Sequence, residues 1–136
     1  MKYEFTGQTK SFYGVTVRQI KRISDGLIGG WIESEKNLDQ KGKCFVYGNA
    51  VVYGNAEVTG NARVYGNASV FGNASVFGNA LVSGDASVFG NARIYGNALV
   101  FDNASVSGNE SVSGNDKVYG NASVSGNEVK IGRAHV

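Results

Sequence analysis

From Val46 onward the chain has a period of six residues, and that period decides its architecture. In the stretch VYGNASVFGNASVFGNA, Val64 to Ala80, nearly the same hexapeptide is written three times. A register started at Val46 and stepped by six places Val or Ile at the first position of all fourteen units. The third position is glycine in thirteen units, with Asp102 the exception, and the fourth is asparagine in thirteen, with Asp85 the exception. The fifth is alanine in eleven; Glu110, Asp116 and Glu128 depart, and the chain holds no proline. Branching at Cβ favours extended, packed backbone for the Val and Ile positions. Gly-Asn is a turn signal, because glycine reaches positive φ freely and asparagine tolerates the left-handed region better than most side chains. Alanine two residues before the next valine shares its face of a strand. Each unit reads as a short strand, Ala-x-Val-aromatic, with a Gly-Asn corner.

Two architectures accept such a unit. A meander of hairpins would spread about fourteen four-residue strands in one sheet and leave every Val and Ala on a face that nothing covers. A solenoid with three units per coil closes a triangular prism and fills it with those residues. Like positions then stack at about 4.8 Å, and asparagines at successive corners form ladders. The reading is all-β: a parallel β-helix of about five coils over 46–129, a small N-terminal β cap over 1–45 and a tail over 130–136.

Charge supports the boundary near residue 45. Residues 1–45 carry +3 and residues 46–136 carry −1, for a net +2 that does not point to nucleic acid or a membrane as partner. One cysteine, Cys44, excludes an internal disulfide framework. No apolar run reaches the roughly 18 residues of a membrane span, and MKYEFTGQTK lacks the apolar core of a secretory leader. The expected setting is the cytoplasm of a bacterial host cell.

The repeat resembles the left-handed β-helices of bacterial hexapeptide-repeat proteins, with aliphatic first and small fifth positions, and that resemblance implies the left hand. The usual glycine of those proteins lies one residue earlier. A more specific resemblance runs through GGWIESEKNLDQKGKCFVY, residues 29–47. Gly29-Gly30-Trp31-Ile32, Glu33-Ser34-Glu35, Asn37-Leu38, Gln40, Gly42 and Cys44 to Tyr47 are similar to the lead-in of YdcK-like, phage-type single-stranded left-handed β-helices. Proteins of that group are often labelled acyltransferases; the resemblance implies a capped β-helix, often prophage-encoded, with no established activity.

At the N-terminus, Lys2–Phe5 and Tyr13–Ile23 read as two strands around the turn-rich TGQTKS, with Val15, Val17 and Gln19 alternating against Thr16, Arg18 and Ile20. Trp31 is expected to plug the first coil, and Cys44 to take the inward alanine position. At the far end, Glu110, Asp116 and Glu128 replace inward alanines. The expectation is that looser final coils turn them to solvent and blunt the edge with charge; a cation site is the alternative.

The residues of catalysis are sparse. Hexapeptide acyltransferases, as the resemblance describes them, use a histidine base beside an inserted loop; here the one histidine is His135, and the period is unbroken from Val46 to Val129. No Cys-x-x-Cys or phosphate loop occurs, and the repeat serines, Ser69 among them, have no nearby base. Neither catalytic nor metal-ligating residues nor a cofactor are expected. What is left is surface. The second position points outward and is aromatic in nine units. Stepping by eighteen sorts these into faces: Tyr53, Phe71 and Phe89; Phe77 and Tyr95; Tyr47 and Tyr65, with Phe101 and Tyr119 beyond Ser83. Leu81 and Leu99 stack one coil apart between Arg63 and Lys117. Contiguous apolar surface marks interfaces. The leading expectation is a non-catalytic module, phage- or prophage-encoded, that presents these residues to a partner protein, one version being an anti-defence inhibitor of a host nuclease. The partner-binding candidates are Tyr47, Tyr53, Tyr65, Phe71, Phe77, Leu81, Phe89, Tyr95 and Leu99. Homo-oligomerisation as a dimer or trimer accompanies it. An acyltransferase or degenerate relative, and a self-assembling oligomer or virion part, are the alternatives.

Overall fold

The computed structural model describes residues 1–125; Glu128, His135 and the expected tail at 130–136 lie outside them. Fourteen two-residue strands, one per hexapeptide, follow an N-terminal sheet. Each consists of the sixth residue of one unit and the first of the next, so the four-residue strands expected from the repeat are cut to two. The strands stack in parallel with partners eighteen residues apart, as in Ser69↔Ser87 and Val70↔Val88. Three sheets result. The first runs through β5 (Val51–Val52), β8 (Ser69–Val70), β11 (Ser87–Val88), β14 (Ser105–Val106) and β17 (Ser123–Val124). The second holds β6 (Glu57–Val58), β9 (Ser75–Val76), β12 (Arg93–Ile94) and β15 (Ser111–Val112). The third holds β4 (Phe45–Val46), β7 (Arg63–Val64), β10 (Leu81–Val82), β13 (Leu99–Val100) and β16 (Lys117–Val118). This is a β-solenoid of about five turns.

Every first-position Val or Ile in the described residues is buried, and the fifth-position alanines from Ala50 to Ala104 are fully so. Alternation puts both ranks inside the prism, where each buried valine contributes about 1.5–3 kcal/mol. Coils are joined by regular backbone bonds: the amides of Ser69, Phe71 and Asn73 donate to the carbonyls of Ala86, Val88 and Gly90 at 2.7–3.0 Å.

The corners divide their labour differently from the expectation. Among the described residues only Tyr13 and Asp102 are non-glycines with positive φ, so the asparagines do not use the left-handed region. The third position supplies it, through Asp102 at φ 60° in one unit and glycine in the others described, as at Gly72 with φ 68°. A Cβ there would also lie 2.9 Å from the amide nitrogen of Gly90 in the next coil. Asparagine instead links corners through its side chain: Asn55 Nδ2 donates to Asn73 Oδ1 at 3.2 Å, and Asn91 to Asn109 at 3.1 Å.

The cap has three strands, β1 (Tyr3–Phe12), β2 (Val15–Arg22) and β3 (Ile28–Ile32). β1 and β2 form an antiparallel hairpin, β2 pairs antiparallel with β3, and β3 runs parallel to β5. Thus β3 is also the first rung of the solenoid. TGQTKS is not a turn; it lies within β1, which bulges between Phe5 and Thr9 with Gly7 at φ 99°. The turn is Tyr13-Gly14, both at positive φ (49° and 81°), as a two-residue hairpin loop requires. A register shift between Gln19 and Lys21 breaks the expected alternation, so Val17 and Ile20 are the buried pair.

Trp31 does not plug the first coil. It pairs with Val51, whose position faces outward, and Lys10 Nζ sits 4.4 Å from its ring centroid. Ile32, Leu38, Phe45, Ile20 and Tyr3 close the end instead, and Cys44 takes the inward alanine position. Two polar side chains complete the plug. Buried Asn37 accepts from the amides of Glu33 and Ser34 and donates to the carbonyls of Gly54 and Ala56. Gln40 accepts from the amides of Lys2 and Tyr3 and returns a bond to the Tyr3 carbonyl.

Candidate interaction face

The solenoid sets the outward rings at rung spacing, and the three faces use that spacing differently. On the first sheet, Tyr53 stacks on Phe71 and Phe71 on Phe89, each at 5.0 Å with planes within 6°. Phe12 from the hairpin meets Tyr53 edge-on at 5.6 Å and closes that column. Burial pushes the Tyr53 phenol upward in pKa, and Tyr13 adds to this. On the second sheet, Phe77 stacks on Tyr95 at 4.9 Å. Rings stacked this closely cover one another, and all five are half-buried. These columns are intact stacks that hide most of their own apolar area.

The third sheet is different. Tyr47 and Tyr65 meet edge-on at 6.5 Å instead of stacking, Ser83 then leaves a gap, and Phe101 and Tyr119 resume at 5.2 Å. Tyr65 is 39% exposed, the most exposed ring of the repeat. Leu81 and Leu99 pair across neighbouring rungs between Arg63 and Lys117, as the register predicts.

The missing ring opens a recess. A depression of about 290 Å³ lies between Tyr65 and Phe101, floored by Leu81, Ser83 and Leu99, with Asp102 at its far end. Toward the cap a shallower depression of about 350 Å³ is lined by Tyr47, Arg63 and Tyr65. It shares Tyr47 and Arg63 with a third, of about 430 Å³, which reaches Lys2, Arg22, Asp25 and Lys43. Shared lining residues make the three one groove along the axis of the solenoid.

Its cap end is electropositive. Arg22 forms a two-pronged pair with Asp25, Nε to Oδ1 at 3.1 Å and Nη2 to Oδ2 at 2.8 Å. That bond holds the exposed Asp25 carboxyl down at about 2, while the same bond raises the Arg22 guanidinium. Lys2 Nζ donates to the carbonyls of Lys41, Gly42 and Cys44 and lies 3.2 Å from Cys44 Sγ. Lys43 and Arg63 are exposed, and among the described residues neither joins a salt bridge. Among the described residues, Lys2, Lys43 and Arg63 are therefore cations without a paired carboxylate.

Sequence reasoning brought Tyr47, Tyr65, Leu81 and Leu99 to one face but missed the cleft, whose residues come from positions 2, 22, 43 and 63. The signal present was the +3 of residues 1–45. Glu110 corrects a second expectation. It is not turned to solvent; it is 1% exposed, and among the described residues neither carboxylate oxygen has a hydrogen-bond partner. Asp116 is half-buried and accepts from the Ser113 amide at 3.4 Å. No group of three His, Cys, Asp or Glu side chains able to hold a metal occurs among the described residues. No helix among them is long and apolar enough to cross a membrane.

No curated protein matches the chain. Residues 92–108, just under one coil across β12, β13 and β14, match the model of the YdcK beta solenoid repeat. With the stacked parallel coils, that match supports a YdcK-like β-helix protein.

Proposed function

We propose that the chain is a non-catalytic binding module whose third sheet presents its groove to another protein. The observation that carries this is the broken ring column. Rings stack at 4.9–5.0 Å on the other two faces, yet here Ser83 interrupts the column and leaves Leu81, Leu99 and the edge of Tyr65 accessible. Rigid concave apolar surface with a polar rim is the usual form of a recognition site. The Tyr53 column, also a candidate from the sequence, stacks on itself and on Phe12, and the depression of about 490 Å³ beside it, lined by Phe12, Tyr13, Tyr53 and Phe71, has no charged residue in its lining. The family resemblance supplies the specific version of this reading: a phage- or prophage-encoded module acting on a host protein, with a defence nuclease as one target class.

The test uses immobilised wild-type protein, a groove variant (Tyr65→Ser/Leu81→Ser/Leu99→Ser) and a column variant (Tyr53→Ser/Phe71→Ser/Phe89→Ser). All are first checked for β-rich circular dichroism and then exposed to bacterial lysate. A protein held by the wild type and the column variant and lost from the groove variant supports the proposal. Equal retention on all three overturns it.

A further inference from the structure

The two ends of the groove carry opposite character, and this specifies its occupant. At the cap end, Lys2, Lys43 and Arg63 converge with no carboxylate among the described residues paired to them, because Asp25 is engaged by Arg22. In the middle, Tyr47, Tyr65 and Arg63 line the groove together. At the other end the recess over Leu81 and Leu99 is apolar, with Asp102 as the one charged residue of its lining and Lys117 one rung beyond Leu99. Resting on the reading of this face as a protein-binding site, we propose that its occupant is an extended protein segment with acidic residues at one end and a large apolar side chain at the other. The acidic end lies over Lys43 and Arg63, and the apolar side chain fills the Ser83 gap.

Dimensions and charge agree with this assignment. From Tyr47 to Phe101 the groove crosses four rungs, three intervals of the usual inter-strand spacing or about 14 Å. An extended segment of roughly five residues spans that length. The groove runs across the strands, whose backbone amides and carbonyls are already paired from coil to coil. Recognition therefore rests on side chains, with no strand added to a sheet edge. A reversed segment would bring its acidic end into a recess lined by Asp102 and by no cation, so the charges that line the groove also favour one direction. A nucleic-acid strand fits less well, because a phosphate in every residue needs cations along the whole groove and none lines the recess over Leu81, Ser83 and Leu99.

Panning a random twelve-residue peptide library on the intact protein tests the proposal. Selected clones are re-measured against Lys43→Glu/Arg63→Glu and against the groove variant. Arg63→Glu is compatible with the fold, since Glu57 occupies the same position of the repeat in β6. The expected outcome is clones in which Asp or Glu clusters beside Phe, Leu or Tyr. These should lose at least ten-fold in affinity on the charge-reversed variant and weaken as salt rises. Clones indifferent to charge reversal but lost on the groove variant overturn the acidic assignment and leave the face standing. Clones that bind the groove variant as well as the wild type, or no enriched clones at all, sink both. Competition by a single-stranded thymidine oligonucleotide for the same site would replace the peptide with nucleic acid.

Discussion

Glu110 is the residue least suited to its place. The alanine rank runs unbroken from Ala50 to Ala104, and Glu110 then puts a carboxyl into the same interior column as Ala92, with both oxygens unpartnered among the described residues. A buried polar group without a bond costs about 1–3 kcal/mol. Glu110→Ala is therefore expected to raise the unfolding free energy by about that amount in urea titration; a drop would show that a bond or an ion holds the carboxyl. Gly72 gives the opposite case. Its φ of 68° and the 2.9 Å approach to the next coil leave no room for a methyl group. Gly72→Ala is expected to cost about 1–3 kcal/mol, through left-handed backbone strain and the forced separation of two coils. Thermal unfolding should register it as a clear loss.

At the level of strands and columns, the number of stacked neighbours sets the cost of removing a ring. Phe71 stacks on two rings and Phe101 on one. At about 0.5–1.5 kcal/mol per pair, Phe71→Ser should lose about twice as much from stacking as Phe101→Ser, measured by chemical denaturation. The cap makes a different prediction. The Tyr3 hydroxyl donates to the Leu38 carbonyl at 2.6 Å, and burial, reinforced by Glu35, Cys44 and Asp39, pushes its pKa well above the ordinary 10.0. The folded cap holds this proton more tightly than the unfolded chain does. Its contribution is complete below pH 10 and is lost as pH climbs beyond that value. Tyr3→Phe should lose about 1 kcal/mol at neutral pH and flatten the alkaline limb of the stability curve. The solenoid was legible in the sequence because each position of the hexapeptide has one role: Val and Ala inside, Gly at the corner, Asn on the ladder. The cap was not, because its register depends on two irregularities, at Phe5/Thr9 and at Gln19/Lys21, that leave no periodic trace. That is why Trp31 lies outside and Tyr3, Asn37 and Gln40 do the closing. Of the candidate face, the apolar half could be read by stepping eighteen residues; the basic half needed the folded contact between four distant segments.

As a whole, the molecule is close to one-dimensional, since each coil touches only the coils beside it. Duplicating one coil, residues 52–69, should lengthen the rod by about 4.8 Å and raise the denaturant m-value, because more surface is buried. The same insertion moves the cluster of Lys2 and Lys43 one rung farther from the recess over Leu81 and Leu99. Peptides selected on the wild type should then bind more weakly to a protein that is more stable, a dissociation readable by titration and urea melts on the same sample. Of the six positions in each unit, the corner ladder and the packed interior claim the first, third, fourth and fifth. The other two face out, at a pitch fixed by the backbone and indifferent to what occupies them, since Ser, Arg, Glu, Leu and Lys all stand at the sixth position. The surface thus works as a ruled page: the lines cannot be moved, but what is written on them can be changed, copied or shifted by a whole line without reworking the grammar of the fold.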